Sequence, residues 1–410
     1  MAIITTPGSK SISNRVLILA AIGKENATIR NVADCDDSKY LIEALKKLGV
    51  KVLKKGSEIT VIGTNLKFPG KKRTINLYTG NAGTSTRFLT ALGTLTGLKI
   101  KIDGDSRMRE RPIAELITTL KELGAKIESK TGCPPLIIYP EKLKGGRCSL
   151  PGNISSQYLS ALLMTTPFAK QKSTIIIEQE LCSKPYIEMT LKVLKDFGIK
   201  IVNKNFKQFT VEGNQKINNP KTYTIESDAS SASYIGAFAA LHPEKEVILE
   251  NLATKSLQGD IVFLKYLQKM GCKLTRIKNS VKIQCPKKLK SLGTIDMNET
   301  PDLVMTFAVL AMFTEGKTKI TNIANLRIKE TDRIAALKNE LEKFGVSVKT
   351  TKDSIEIEGN DKILAQLQNN RLTFTPGGES KNRTPISQPR HIKIHTYNDH
   401  RIAMSFGILK

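Results

Sequence analysis

The sequence predicts an α/β protein of two domains built from a repeated strand-and-helix unit, and three observations carry that prediction. The pattern Leu-x-x-(Leu/Phe/Met)-Gly recurs, ending at Gly49, Gly124, Gly198, Gly271 and Gly345, spaced 75, 74, 73 and 74 residues apart. A polar opening rich in small residues, leading into an apolar helix, recurs six times, at residues 8–15, 80–87, 154–158, 228–234, 299–302 and 397–401. With 410 residues, 40% of them hydrophobic, the chain exceeds one ordinary core and can fill two.

Each element of the repeat has a local reason. The glycine follows an amphipathic helix, where the left-handed conformation that ends helices suits a residue without Cβ. The stretches after it, such as 50–53 and 125–127, read as strands. Each opening leaves the free N–H groups and partial positive charge of a helix N-terminus, so the openings are suited to anions. Six repeats, three to a domain, place one domain at 8–227 and the other at 1–7 plus 228–410, the first few residues crossing to the second domain. The interval from Glu299 to Tyr397 is longer than the repeat, and residues 361–395, with Gly377-Gly378 and several prolines, read as a solvated insertion. A sixth closing glycine falls past Lys410, so the sixth repeat is expected to be truncated.

Composition removes several function classes. A net charge of +26 favours anionic partners, but 5% aromatic residues and no basic stretch interleaved with aromatics argue against nucleic acid. The longest apolar run, Leu303 to Phe313, is short of the roughly 20 residues that span a bilayer, and the N-terminus lacks a signal-peptide pattern. A soluble, cytoplasmic protein is expected. Six scattered cysteines without a C-x-x-C pair read as free thiols, and four histidines supply neither a metal cluster nor a triad. Residues 80–84 are glycine-containing but lack the Gly-Lys-Ser/Thr of a nucleotide loop, which disfavours ATP and NAD.

Acid–base chemistry therefore falls to carboxylates and lysines around the openings. Ser11 and Arg15, beside Lys10, share a helical face. Arg107, Arg109 and Arg111 precede Pro112, placed as the first residue of a helix, and their guanidinium groups suit carboxylate or phosphate. Ser155, Ser156 and Gln157, with Ser183 and Tyr186, offer hydroxyl and amide donors. Glu330, set between Lys329 and Arg333, and Asp302 of the fifth opening form a pair of carboxylates tuned by cations for proton transfer.

In this order the motifs PGSKSISNR (7–15), GNAGTSTR (80–87), RMRERPI (107–113), SSQYLSALLM (155–164), SKPYIEMT (183–190), ESDASSASY (226–234), SLQGD (256–260), TPDLVMT (300–306), NLRIKETDR (325–333) and TYNDHRIAM (396–404) span nearly the whole chain. The chain resembles the 5-enolpyruvylshikimate-3-phosphate synthase family. Its wording is most similar to the fungal arom-type domain, which would make it a monomer or a part of a larger polypeptide. The resemblance implies an inside-out α/β barrel of six βαβαββ repeats, the enolpyruvyl transferase fold. It implies transfer of the enolpyruvyl group of phosphoenolpyruvate to the 5-hydroxyl of shikimate-3-phosphate, without metal or organic cofactor. Shikimate-3-phosphate would be held by Lys10, Ser11, Arg15, Ser155, Ser156, Gln157, Ser183, Tyr186, Asp302, Asn325 and Lys329. Phosphoenolpyruvate would be held by Lys10, Asn81, Gly83, Arg111, Gln157, Arg333 and Arg401. Asp302, Glu330 and Lys10 would be catalytic.

Family members carry a further lysine after the sixth opening, and this chain ends before it. The alternative expectation is thus a truncated member that binds shikimate-3-phosphate with little turnover. Phe88 stands where bacterial and plant members have proline, so glyphosate sensitivity is an expectation of the resemblance only. The related UDP-N-acetylglucosamine enolpyruvyl transferase uses a reactive loop cysteine, and the Gly-Cys-Pro-Pro context of Cys133 does not match it.

Overall fold

The computed structural model describes residues 2–69, 74–252, 256–368, 372–376 and 390–409. The chain divides into two compact units, an early one, Pro7–Glu226, and a late one, Met1–Thr6 with Ser227–Lys410. Among the described residues no helix is long and apolar enough to cross a membrane.

The early unit carries α1 (Lys10–Ile22), α2 (Asp36–Lys47), α3 (Gly83–Thr96), α4 (Ala114–Glu122), α5 (Ser156–Thr165) and α6 (Lys184–Asp196). The late unit carries α7 (Ala229–Leu241), α8 (Phe263–Lys269), α9 (Val304–Ala311), α10 (Arg333–Glu342), α11 (Lys362–Gln368) and α12 (His400–Gly407). The odd-numbered helices α1 to α9 follow the first five openings, and α12 follows the sixth. Within a repeat the first helix is buried nearly all round, as in α1, where every residue from Ile12 to Ile22 is buried. The second is amphipathic: α2 buries Leu41, Ala44 and Leu45 and turns its charges outward. All five closing glycines have positive φ, between +80° and +104°.

Among the described residues five four-stranded sheets share one plan. In the second repeat Ile75–Tyr78 lies parallel to Ile100–Asp103, which pairs antiparallel with Leu136–Ile138, itself antiparallel to Ile127–Ser129. Reading along the chain this is β-α-β-α-β-β. The first repeat lacks its own leading strand, and Thr222–Thr224, from the end of the early unit, takes the place beside Ala27–Arg30. In the fourth repeat that place is taken by Ala2–Thr5, parallel to Val247–Glu250.

Three local expectations are corrected. Pro112 does not begin a helix: α4 starts at Ala114, and the Pro112 carbonyl instead accepts hydrogen bonds from Arg87 Nη2 (2.7 Å) and Tyr158 Oη (2.6 Å). The 361–395 stretch is not wholly a loop, since it contains α11 and two parallel strands, Leu372–Pro376 and Arg390–Ile394. Ile363, Leu364, Ile392 and Ile394 are buried there, which gives these elements a core to rest on. Gly377-Gly378 falls outside the described residues. Finally, Cys272 and Cys285 are not free thiols but a disulfide. No motif marks the pair, because it is the antiparallel register of Lys273 with Gln284 that sets the two cysteines opposite each other.

Candidate active site

The early unit gathers one set of predicted residues at its helix openings. Gln157 donates from Nε2 to Thr84 Oγ1 (3.2 Å), so the start of α5 meets the start of α3. Ser155 caps α5 by accepting from the Gln157 backbone N–H (3.3 Å). Arg111 donates from Nη1 to both the backbone oxygen (2.8 Å) and Oδ1 (2.9 Å) of Asn81. Gly83 makes this possible, since a Cβ there would lie 2.4 Å from Arg111 Nη2. Asn81, Gly83, Arg111 and Gln157 are thus one contiguous group, with Ser156 buried beside it.

At the opening of α1, Lys10 Nζ lies 3.4 Å from Asp37 Oδ1. Asp37, absent from the sequence-based set, is the acidic first turn of α2 and holds the lysine in place. Ser11 and Arg15 do share a face, and Arg15 Nη1 donates to the Ser11 carbonyl (2.8 Å). The Arg15 side chain turns into the helix packing. It is 2% exposed, donates from Nε to Thr190 Oγ1 (2.7 Å) and from Nη2 to Ser160 Oγ (3.0 Å) and the Tyr186 carbonyl (3.3 Å), and lies over the Phe88 ring. Burial lowers its pKa to about 10, partly offset by Tyr186. Four of its donors serve protein acceptors, and three of them tie α1 to α5 and α6. Ser183 caps α6 in the left-handed region, φ +55°, with its side chain buried.

The late unit gathers a denser set. Arg333, the first residue of α10, is 1% exposed and binds three carboxylates: Asp399 through Nε (2.8 Å) and Nη2 (3.3 Å), Glu330 through Nη2 (2.8 Å), and Asp302 through Nη1 (3.3 Å). Arg401 donates from Nη2 to the other Asp302 oxygen (2.6 Å) and from Nη1 to Tyr234 Oη (3.4 Å). Burial works to lower the Arg333 pKa, and the charges of Asp399, Glu330 and Asp302 override it, so the pKa is raised and the guanidinium stays charged. Asn325 and Lys329 stand in and at the end of the short turn Ala324–Ile328 that leads into α10.

Sequence reasoning passed over two members of this set. Asp399 caps α12, accepting from the backbone N–H of Arg401 and Ile402, while its buried carboxylate binds Arg333. Its place in the sixth opening, just before a helix, was the available signal. Asp260, in SLQGD, is 2% exposed; Oδ2 accepts from Ser230 Oγ, and Oδ1 has no hydrogen-bond partner among the described residues. Burial, followed by the charge of Asp302, pushes its carboxyl up to about 7, against Arg401 and Ser230.

Because Asp260 binds its proton more tightly folded than unfolded, its contribution to stability is fully present below about pH 4 and lost as pH rises through 7. Asp260→Asn is therefore expected to stabilise the protein by about 2–4 kcal/mol at pH 8 and to leave it unchanged near pH 4. Denaturant unfolding at the two pH values measures this; an equal effect at both would contradict it.

The early unit's set offers cations and helix N-termini suited to anions, and the late unit's set offers fixed cations with two partly exposed carboxylates, Asp302 and Glu330, suited to proton transfer. Comparison with known proteins agrees. The family model described as EPSP synthase (3-phosphoshikimate 1-carboxyvinyltransferase) matches residues 1–410. A 3-phosphoshikimate 1-carboxyvinyltransferase of Buchnera aphidicola is 42% identical, over 99% of this chain and 87% of that one. That of Actinobacillus pleuropneumoniae serotype 5b is 41% identical, over 99% and 89%. The solved EPSP synthase of Acinetobacter baumannii superposes with a TM-score of 0.76 at 26% identity, over 100% of this chain and 88% of that one. These relatives are bacterial, and nothing in them supports the arom-type affinity read from residues 81–90 and 154–163. A match of this length favours the transferase over the alternative of a chain that binds shikimate-3-phosphate with little turnover. The chain belongs to the EPSP synthase family, the 3-phosphoshikimate 1-carboxyvinyltransferases of the shikimate pathway and aromatic amino acid biosynthesis.

Proposed function

We propose that the chain joins shikimate-3-phosphate and phosphoenolpyruvate by addition and elimination, with the residues above in the following roles. Asp302 takes the proton of the 5-hydroxyl as its oxygen bonds to C2 of phosphoenolpyruvate, and Glu330 delivers a proton to C3. Breaking the bond from C2 to the phosphate oxygen then releases inorganic phosphate, and loss of a proton from C3 restores the double bond. Lys10, Asn81, Gly83, Arg111 and Gln157, together with Arg333 and Arg401, hold phosphoenolpyruvate and stabilise the charge that moves to the leaving phosphate. Lys10, Ser11, Ser155, Ser156, Gln157, Ser183, Tyr186, Asp302, Asn325 and Lys329 hold shikimate-3-phosphate. Arg15, largely committed to protein acceptors, supports that group through the α1, α5 and α6 packing.

The observation that carries this reading is the pair Asp302 and Glu330 on one buried guanidinium, which fixes two carboxylates relative to each other. Phosphate release is the test. It is expected with phosphoenolpyruvate plus shikimate-3-phosphate and not with UDP-N-acetylglucosamine as acceptor; the reverse result would overturn the proposal.

A further inference from the structure

Glu340 lies on the inward face of α10, two turns beyond Arg333, and its side chain is only 1% exposed. A carboxylate so buried needs partners, and it has three. Oε2 accepts from the Lys343 ammonium (2.6 Å) and from the backbone N–H of His395 (2.9 Å), and Oε1 accepts from Tyr397 Oη (2.8 Å). Lys343 also donates to the Lys393 carbonyl (3.0 Å). A surface ion pair with Lys343 would explain none of the bonds to residues 393–397. Burial raises the Tyr397 pKa, and Glu340 adds to it, so the phenol keeps the proton it donates.

The segment gripped in this way is the turn between the strand Arg390–Ile394 and α12. Tyr397 and Asn398 both lie in the left-handed region, at φ +55° and +54°. Asparagine accepts this conformation readily, but a bulky tyrosine does so only where its surroundings over-determine it. Thr396 closes the turn by accepting from the Asp399 N–H (2.9 Å). The next residues are Asp399, on Arg333, and Arg401, on Asp302. One helix, α10, therefore holds the sixth opening at two points, Arg333 to Asp399 at its start and Glu340 to Tyr397 and His395 near its end.

We propose that Glu340 and Tyr397 are positioning residues for phosphoenolpyruvate: their contact holds the strained turn whose geometry sets where Arg401 and the Asp399–Arg333 pair stand. This rests on the assignment of Arg401 and Arg333 to phosphoenolpyruvate made above. Steady-state kinetics of the full chain, with each substrate varied in turn, and thermal unfolding test it. Tyr397→Phe removes only the hydroxyl, with its contacts to Glu340 and Asn339, and keeps the ring. It is expected to raise KM for phosphoenolpyruvate about tenfold, with KM for shikimate-3-phosphate changed less than about twofold. Its Tm is expected to stay within about 2 °C of the parent. Glu340→Gln, which keeps an acceptor, should shift the same constant less than Glu340→Ala.

A lowered Tm with both KM values unchanged in Tyr397→Phe and Glu340→Gln would show a merely structural contact and overturn the proposal. Arg401→Lys separates the two ways of failing. If it raises KM for phosphoenolpyruvate and Tyr397→Phe does not, the positioning role alone is wrong. If neither raises it, the assignment of phosphoenolpyruvate to this site is wrong, and the positioning role falls with it.

Discussion

Arg333→Met is expected to destabilise the protein by about 3–5 kcal/mol and to abolish turnover. Among the described residues Arg333 and Arg15 are the two largest fully buried side chains. Arg333 differs in that its partners are charged: removing its guanidinium leaves Asp399, whose side chain is fully buried, without its ion pair. Methionine fills much of the volume, so the loss would be electrostatic rather than a cavity. Arg333→Lys tests the geometry separately, because one ammonium cannot reproduce four directed bonds to three carboxylates, and it should recover only part of the stability. Denaturant unfolding at neutral pH measures both; wild-type stability in Arg333→Met would mean that the carboxylates are not held by this residue.

Asp302→Ala has the largest expected kinetic effect. If Asp302 takes the hydroxyl proton, its loss should lower kcat by about 10²–10⁴-fold, the range for a general base. Binding of shikimate-3-phosphate, spread over many side chains in the proposed set, should remain measurable by calorimetry. Because Asp302 also accepts from Arg333 and Arg401, part of the loss could come from their displacement. Asp302→Glu addresses this by keeping the charge, and a recovery of activity well above that of the alanine variant is expected. Unimpaired turnover in Asp302→Ala would remove the residue from the mechanism.

Much of this was legible in the sequence because the repeat is written in local terms. A glycine after an amphipathic helix reports a left-handed backbone position, and all five closing glycines have positive φ. The openings, rich in Ser, Gly and Asn, lead into helices at Lys10, Gly83, Ser156, Ala229, Val304 and His400. Less legible was anything decided by packing. Arg15 reads as a substrate-binding cation, yet Ser160 and Thr190 from two other helices draw it inward. Glycines and prolines made 361–395 look uniformly irregular, although buried Ile363, Leu364, Ile392 and Ile394 anchor α11 and the strand at 390–394. The cysteine pair depended on strand register, and the raised carboxyl of Asp260 on burial beside Asp302, neither of which a motif records.

The strand Ala2–Thr5 has a consequence for how the chain reaches its native state. Its partner, Val247–Glu250, follows almost the whole of the early unit, so this parallel pairing spans some of the longest sequence separations in the molecule. During synthesis the early unit has every strand it needs once Thr222–Thr224 emerges, and it can complete its sheets at that point. Ala2–Thr5 must wait, unpaired, until Val247–Glu250, later in the sequence than the whole early unit, appears. Closing such a long loop before any contact rewards it is slow. The strand Ala2–Thr5 is thus made before the early unit and is among the last segments to find its place.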